Sequence, residues 1–215
     1  MPTGAALILG GGFLFLSLVR LGALTKPPAI PQIAPAGSQS SGLNSEGKVM
    51  SIRKVLLLGN PKLYESCAPV VEGEIESLPP IVQDLHDTLM DFRRRHGAGR
   101  AIAAPQIGVM KRLVYMHIDQ PVVLLNPVLD LKSEEMMEVW DDCMCFPDLL
   151  VKVERHRECR MTYRDMEWRE QTMMLEGDLS ELLQHECDHL EGVLAISRAM
   201  DQHSFALRSQ RHFLE

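Results

Sequence analysis

Gln184-His185-Glu186-Cys187-Asp188-His189 is the most informative segment of this 215-residue chain. It has the form H-E-x-x-H. Ser180-Glu181-Leu182-Leu183 leads in with helical character, and Gly192, just after Leu190-Glu191, offers a C-terminal stop. On a helix, His185 and His189 lie one turn apart on one face, so both imidazoles reach a single metal ion. Glu186, beside the first histidine, can touch water bound to that metal and act as general base, then as acid. Catalytic sites of this kind use three protein ligands and keep one position open. Alone, the pattern also fits a solvated helix face, so the reading needs a third ligand and a donor for developing negative charge.

Two other stretches supply candidates. In Trp140-Asp141-Asp142-Cys143-Met144-Cys145-Phe146-Pro147 there are two thiols, and His/His/Cys is a workable set for a borderline divalent metal. If this segment is a strand, Cys143 and Cys145 point the same way and spacing does not choose between them. The alternative is a pair of buried cysteines acting as small hydrophobes. Gly99-Arg100-Ala101-Ile102-Ala103-Ala104-Pro105-Gln106 is small-residue-rich, which allows close approach of backbone to backbone or ligand. By itself it reads as a tight loop between a helix and a strand.

The remainder of the chain reads as one catalytic domain over residues 50–215 behind a distinct segment, 1–49. That segment opens with an apolar run at 4–19, broken only by Ser17, and continues with a Pro-, Gly-, Ser- and Gln-rich stretch from Pro27 to Gly47. It carries +2 of a chain total of −7, leaving −9 on the rest. It lacks the charged start of a secretory signal and is short for a membrane span. Three readings stay open: an organellar targeting sequence (mitochondrion or plastid), a single anchor, or a cytoplasmic protein starting at Met50. No Lys/Arg block points to nucleic acid as a direct partner, and no stable membrane partner is expected for the catalytic domain. Five cysteines at irregular spacing do not form a disulfide framework.

Within the domain, Ile52 to Leu58 reads as a strand or extended arm. Ile81, Val82, Leu85, Leu89 and Phe92 recur at helical spacing after Pro79-Pro80 and stop at Gly97. His86 and His96 read as surface histidines of that helix. Strands are expected at Leu113–Ile118, Val122–Leu125, Leu150–Val153 and around Cys159, Met161 and Tyr163, with a turn at Asn126-Pro127. Asp178 and Glu181 resemble a capping box for the H-E-x-x-H helix. The tail from Ala199 reads as a terminal helix with Phe205 and Leu207 packed inward.

Gly99 to Gln106, Cys143 in its Phe-Pro context, and Gln184 to Gly192 together resemble the three motifs of peptide deformylases, in that family's order. The resemblance implies an α+β fold, with antiparallel β-sheets around a central metal-binding helix. It implies removal of the N-formyl group from N-formylmethionyl nascent peptides, met at the ribosome. The metal would be a divalent ion, Fe(II) first, with Zn(II), Co(II) or Ni(II) able to substitute. By the same resemblance the ligands are Cys143, His185 and His189, and Glu186 moves the proton. The side-chain amide of Gln106 and the backbone N–H of Met144 stabilise the oxyanion. Gln184, Asp141 and Arg155 would support the ligands from behind, the last two as a charge pair.

Three positions depart from the family pattern. Ala101 stands where the first motif has a second Gly, and Asp142 stands where the second motif has one. Glu181, one turn before His185, lies near where the family places an apolar side-chain pocket. Gly99, Ala101 and Glu181 are therefore the expected substrate-contacting positions, and Glu181 would favour a polar or basic first residue if it lines the pocket. Two other functions compete with the deformylase reading. One is a metallohydrolase of the same fold acting on a different N-formyl or N-acyl amine, and the other is a non-catalytic binding module. A general H-E-x-x-H protease fits the thiol ligand and Gln106 less well.

Overall fold

A computed structural model describes residues 51–214; the readings made on residues 1–49 lie outside the described residues. Helix α1 (Pro79–His96) begins on two prolines, whose fixed φ suits a first turn, and ends where Gly97 takes φ 67° and donates its N–H to the Arg93 carbonyl. Helix α2 (Gly177–Leu190) carries the H-E-x-x-H stretch. Around these run β1 (Ala101–Ala103), β2 (Leu113–His117), β3 (Pro121–Asp130), β4 (Met136–Asp142), β5 (Leu149–His156), β6 (Glu158–Arg164), β7 (Glu170–Glu176) and β8 (Phe205–Leu207). They form a five-stranded sheet, β1-β2-β3-β6-β7, and a three-stranded sheet, β4-β5-β8. All the named strand pairs are antiparallel. With two helices set against these sheets, the fold is α+β.

Both faces of β1 and β2 are covered, which explains their nearly continuous apolar sequence. Ile102, Leu113 and Tyr115 pack with Leu85, Leu89 and Phe92 of α1. Ala101, Ala103, Val114 and Met116 pack with Leu182, Leu183 and Leu190 of α2. A third cluster joins Cys143, Cys145 and Phe146 to Val151, Val153, Leu63 and Leu194. The helix bearing the two histidines is thus held between the larger sheet and β5 of the smaller one.

The structure corrects several expectations. The stretch expected to be a loop before Gln106 contains β1 and then a single 3-10 turn, Ala104–Ile107. Asn126-Pro127 is no turn: β3 runs through it to Asp130, with a register shift between Leu125 and Val128. Asn126 takes φ 49°, and its side-chain amide accepts from Val70 N–H and donates to Val70 C=O. This is a bulge pinned by a side chain. His86 is half-buried rather than on the surface, with Nδ1 2.7 Å from the Tyr115 hydroxyl. No terminal helix forms among the described residues; Phe205 and Leu207 lie in the edge strand β8 at 44 % and 58 % exposure, followed by a 3-10 segment, Arg208–Phe213. No described helix is long and apolar enough to cross a membrane.

Gly192 bears directly on the site, because it ends the turn after α2. Its φ is 71°, and a Cβ there would meet the Tyr64 carbonyl carbon at 2.5 Å and oxygen at 2.6 Å. Gly192→Ala is therefore expected to destabilise the protein by about 2–4 kcal/mol, from combined strain and backbone clash. Denaturant unfolding checks this, and a loss under about 0.5 kcal/mol would contradict the close approach.

Candidate metal and hydrolytic centre

Cys143 follows the last residue of β4 and starts a tight turn, in which the Phe146 N–H donates to its carbonyl. The two cysteines are therefore on a turn and not on a strand. The structure separates them. The Cys143 sulfur is 3.3 Å from His189 Nε2, and His189 Nε2 is 3.1 Å from His185 Nε2. These three buried donor atoms all lie within 4.8 Å of one another. The Cys145 sulfur is not among these donors; it lies 3.6 Å from Gln106 Nε2.

The donor set fits one ion. With bonds of about 2.1 Å to nitrogen and 2.3 Å to sulfur, tetrahedral ligands sit roughly 3.4–3.6 Å apart. The observed separations are only slightly tighter. Nearby, Oε2 of Glu186 and Nδ1 of His189 are buried with no hydrogen-bond partner among the described residues.

A line of charges runs away from His185. Its Nδ1 is 2.9 Å from Asp141 Oδ1, and Asp141 Oδ2 accepts from Arg155 at 2.8 Å. Arg155 also donates to Asp188 at 2.5 Å, and Asp188 takes both donors of Arg198. Asp141 and Arg155 are each almost wholly buried. A carboxylate behind a ligating imidazole fixes its orientation and raises its basicity. Asp141, Glu181 and a nitrogen of His185 also lie within 4.8 Å of one another, but Arg155 and Arg100 already pair with the two carboxylates. That group is an ion-pair network.

Burial and these charges set the protonation states of the metal-free protein. Burial opposes ionisation of Asp141, yet His185 and Arg155 together hold it down to about 2. Burial likewise opposes a charged His185, but Asp141 and then Glu186 outweigh it and raise it to about 10. Burial and the His185 charge push His189 well below the ordinary range. Burial, then Cys145, keeps Cys143 a thiol. Burial lifts Glu186 to about 7, with His185 working against it and Asp141 and Glu181 adding to it.

The other expected positions fall as follows. Gln106 is 1 % exposed; its Oε1 accepts the Ala103 N–H at 2.7 Å. That bond fixes which way the amide faces, so Nε2 is presented toward the Cys143 and Cys145 sulfurs, at 3.7 and 3.6 Å. Gln184 bridges α2 to β5, accepting from His156 N–H and donating to its carbonyl. Gly99 takes φ 119° and its carbonyl accepts from Arg93; Ala101 is buried in β1 against Met116. Glu181 makes no capping box: the helix is capped by Glu176 without a side-chain bond, and Glu181 instead accepts from Arg100 at 3.0 Å.

Sequence reading missed the residues that hold the site from outside. The arm donates Leu56 N–H to the Gln106 carbonyl at 2.8 Å and Leu58 N–H to the Cys145 carbonyl at 2.9 Å. Two amides on one edge of an extended segment thus set the spacing between the Gln106 turn and the Cys143 turn. Arg100 and Arg198 were also missed, since contacts to Glu181 and Asp188 leave no local sequence signal.

A sequence model described as polypeptide deformylase matches residues 52–205. The chain belongs to the polypeptide deformylase family. Its members are hydrolases that remove the N-formyl group from nascent peptides, using a single metal. The chain is 34 % identical over 163 residues to a protein named peptide deformylase from Leptospira biflexa, covering 69 % of this chain and 88 % of that one. It is 32 % identical over 173 residues to peptide deformylase 1 of Prochlorococcus marinus, covering 75 % and 88 %. Among solved structures it resembles a peptide deformylase from Synechococcus elongatus in complex with actinonin. The TM-score there is 0.66, with 25 % identity over 80 % of this chain and 89 % of that one. The Thermotoga maritima enzyme gives a TM-score of 0.63 at 28 % identity, covering 70 % and 99 %.

Two tests follow from the protonation pattern. At neutral pH, uptake of a divalent ion should expel about two protons, from Cys143 and His185, so affinity rises with pH between 7 and 9. Titration calorimetry in buffers of differing protonation enthalpy measures the number, and pH-independent binding would contradict it. Asp141→Asn should weaken metal binding by about 10–100-fold. Metal titration of the folded variant checks this, and parental affinity would contradict it.

Proposed function

We propose that this chain hydrolyses the N-formyl group of N-formylmethionyl nascent peptides at one divalent ion held by Cys143, His185 and His189. The observation behind it is the convergence of those three donors beside a buried Glu186 oxygen, partnerless among the described residues, and an oriented Gln106 amide. The ion, which we take to be Fe(II), with Zn(II), Co(II) or Ni(II) as workable substitutes, would supply Lewis acidity for water and the formyl oxygen.

The protein's own groups do the rest. Glu186, as carboxylate, takes a proton from the attacking water. The oxygen bonds to the formyl carbon, and negative charge collects on the former carbonyl oxygen. Gln106 Nε2–H and the Met144 N–H would hold that oxygen, and burial strengthens both interactions. Glu186 then returns its proton to the departing amine, so that formate and a free N-terminus leave. A carboxyl lifted toward neutrality by burial suits both halves of this exchange.

A second reading concerns the substrate. Glu181 and Arg100 place a polar pair within reach of His185. If this pair lines the side-chain pocket, polar or basic first residues would be taken better than by a purely apolar one. Peptides beginning with formyl-Met, formyl-Lys and acetyl-Met separate these readings by their ratios of kcat/KM. We further infer encounter with the nascent chain at the ribosome. We also read residues 1–49 as a mitochondrial or plastid targeting segment, which a fluorescent fusion of those residues tests; cytoplasmic retention would favour a start at Met50.

Formate release from a formyl-Met-Ala peptide by the Fe(II)-loaded, anaerobically purified protein tests the activity. Glu186→Ala should keep the metal and lose about 10³-fold or more in kcat. Gln106→Glu, which removes a donor, should cost about 10²–10³-fold. Because Glu186 works ionised, the rate should rise with pH through an acid limb at or below about 7 and flatten above it. Metal binding without formate release from any of the three peptides would overturn the reading.

A further inference from the structure

Arg208 lies beyond residue 205, where the family match ends, and its side chain reaches back to the turn that carries Cys143. Between the end of β4 at Asp142 and the start of β5 at Leu149, six residues carry the Cys143 sulfur and the Met144 amide. Arg208 grips both necks of this turn. Its Nη2 donates to Asp142 Oδ2 at 2.7 Å, and its Nε donates to the Pro147 carbonyl at 2.6 Å. Its own N–H donates to the Asp148 carbonyl at 2.8 Å, and the preceding Leu207 pairs with Leu149 in the sheet.

We propose that Arg208 is a positioning residue for the centre: by spanning Asp142 and Pro147 it fixes the turn that presents the Cys143 sulfur and the Met144 N–H. This rests on the reading of Cys143 as a metal ligand. A planar guanidinium with several donors in a rigid fork can hold two acceptors at a set separation, which a lysine ammonium does not. Asp142 is where the chain departs from the family's second motif by replacing a Gly, and the Arg208 bond gives that carboxylate a use. The pair is partly exposed, so its contribution to stability is small. What it supplies is geometry, and a ligand-bearing turn must hold its place to within about 0.5 Å.

The test uses the full chain loaded anaerobically with Co(II), whose thiolate charge-transfer absorption reports the bond to Cys143 directly. Arg208→Met should shift or weaken that band and raise the Co(II) dissociation constant about tenfold or more. It should also lower kcat on formyl-Met-Ala about tenfold with KM within about twofold, while the unfolding midpoint stays close to the parent. Arg208→Lys should fall between, and Asp142→Asn, a milder change that keeps the fold if the arginine variants do not, should shift the band in the same direction. A band that Cys143→Ser abolishes but Arg208→Met and Asp142→Asn leave unchanged, with parental Co(II) affinity, overturns the proposal alone. If the parent shows no band that depends on Cys143, the ligand reading fails and the proposal falls with it.

Discussion

Asp141 is a carboxylate buried between a histidine and an arginine, and the rest of the network turns on its ion-pair contact with His185 and the hydrogen bond it accepts from Arg155. A buried carboxylate is tolerable only when charge and hydrogen bonds replace lost water. Here His185 takes one oxygen and Arg155 the other. With Nδ1 of His185 beside Asp141, its Nε2 faces His189. The bond to Arg155 continues to Asp188, one turn on from Gln184 in α2, and so ties β4, β5 and α2 into one unit. Removing one partner of the fully buried Asp141–Arg155 pair costs about 3–5 kcal/mol. The network is thus an orienting device whose parts cannot be exchanged singly.

Around that unit, the three segments that present chemistry come from distant parts of the chain and are tied by backbone bonds. Alternate amides of the arm, at Leu56 and Leu58, reach the carbonyls of Gln106 and Cys145. The Gln106 side chain is fixed from within its own turn by the Ala103 N–H. Gln184 fastens α2 to His156. Positions that must hold still are thus supported by backbone donors and acceptors. Glu181, paired with Arg100 at 3.0 Å, lies beside Asp141 and His185 at the edge of this frame.

Much of this was legible in the sequence where the signal is local. Two histidines four apart need only a helix to share a face, and the apolar rows of α1, β2, β5 and β6 announce their buried sides. β4 was not legible because its buried residue is Asp141, so no apolar alternation marks it. β7 buries only Leu175, and β8 leaves Phe205 and Leu207 exposed, so neither matches the pattern of a core strand. Asn126-Pro127 looked like a turn because that dipeptide suits one; here the Asn126 side chain pairs with Val70 and pins a bulge. Glu181 has the spacing of a capping residue, but Arg100, 81 residues earlier in the chain, claims it. Cys143 and Cys145 were equivalent by type and spacing; only the turn that starts at Cys143 separates them in space. Contacts made across such distances follow from the fold and have no shorter signature.

X-ray absorption at the metal edge of the anaerobically loaded protein counts the ligands. A centre built from Cys143, His185 and His189 gives one sulfur at about 2.3 Å and two imidazole nitrogens at about 2.0–2.1 Å, with the remaining coordination from exchangeable oxygen. Two sulfurs would mean that Cys145 closes the site as a fourth protein ligand. No sulfur would mean that Cys143 stays a thiol beside an ion held elsewhere. Either result would contradict a centre built from Cys143, His185 and His189.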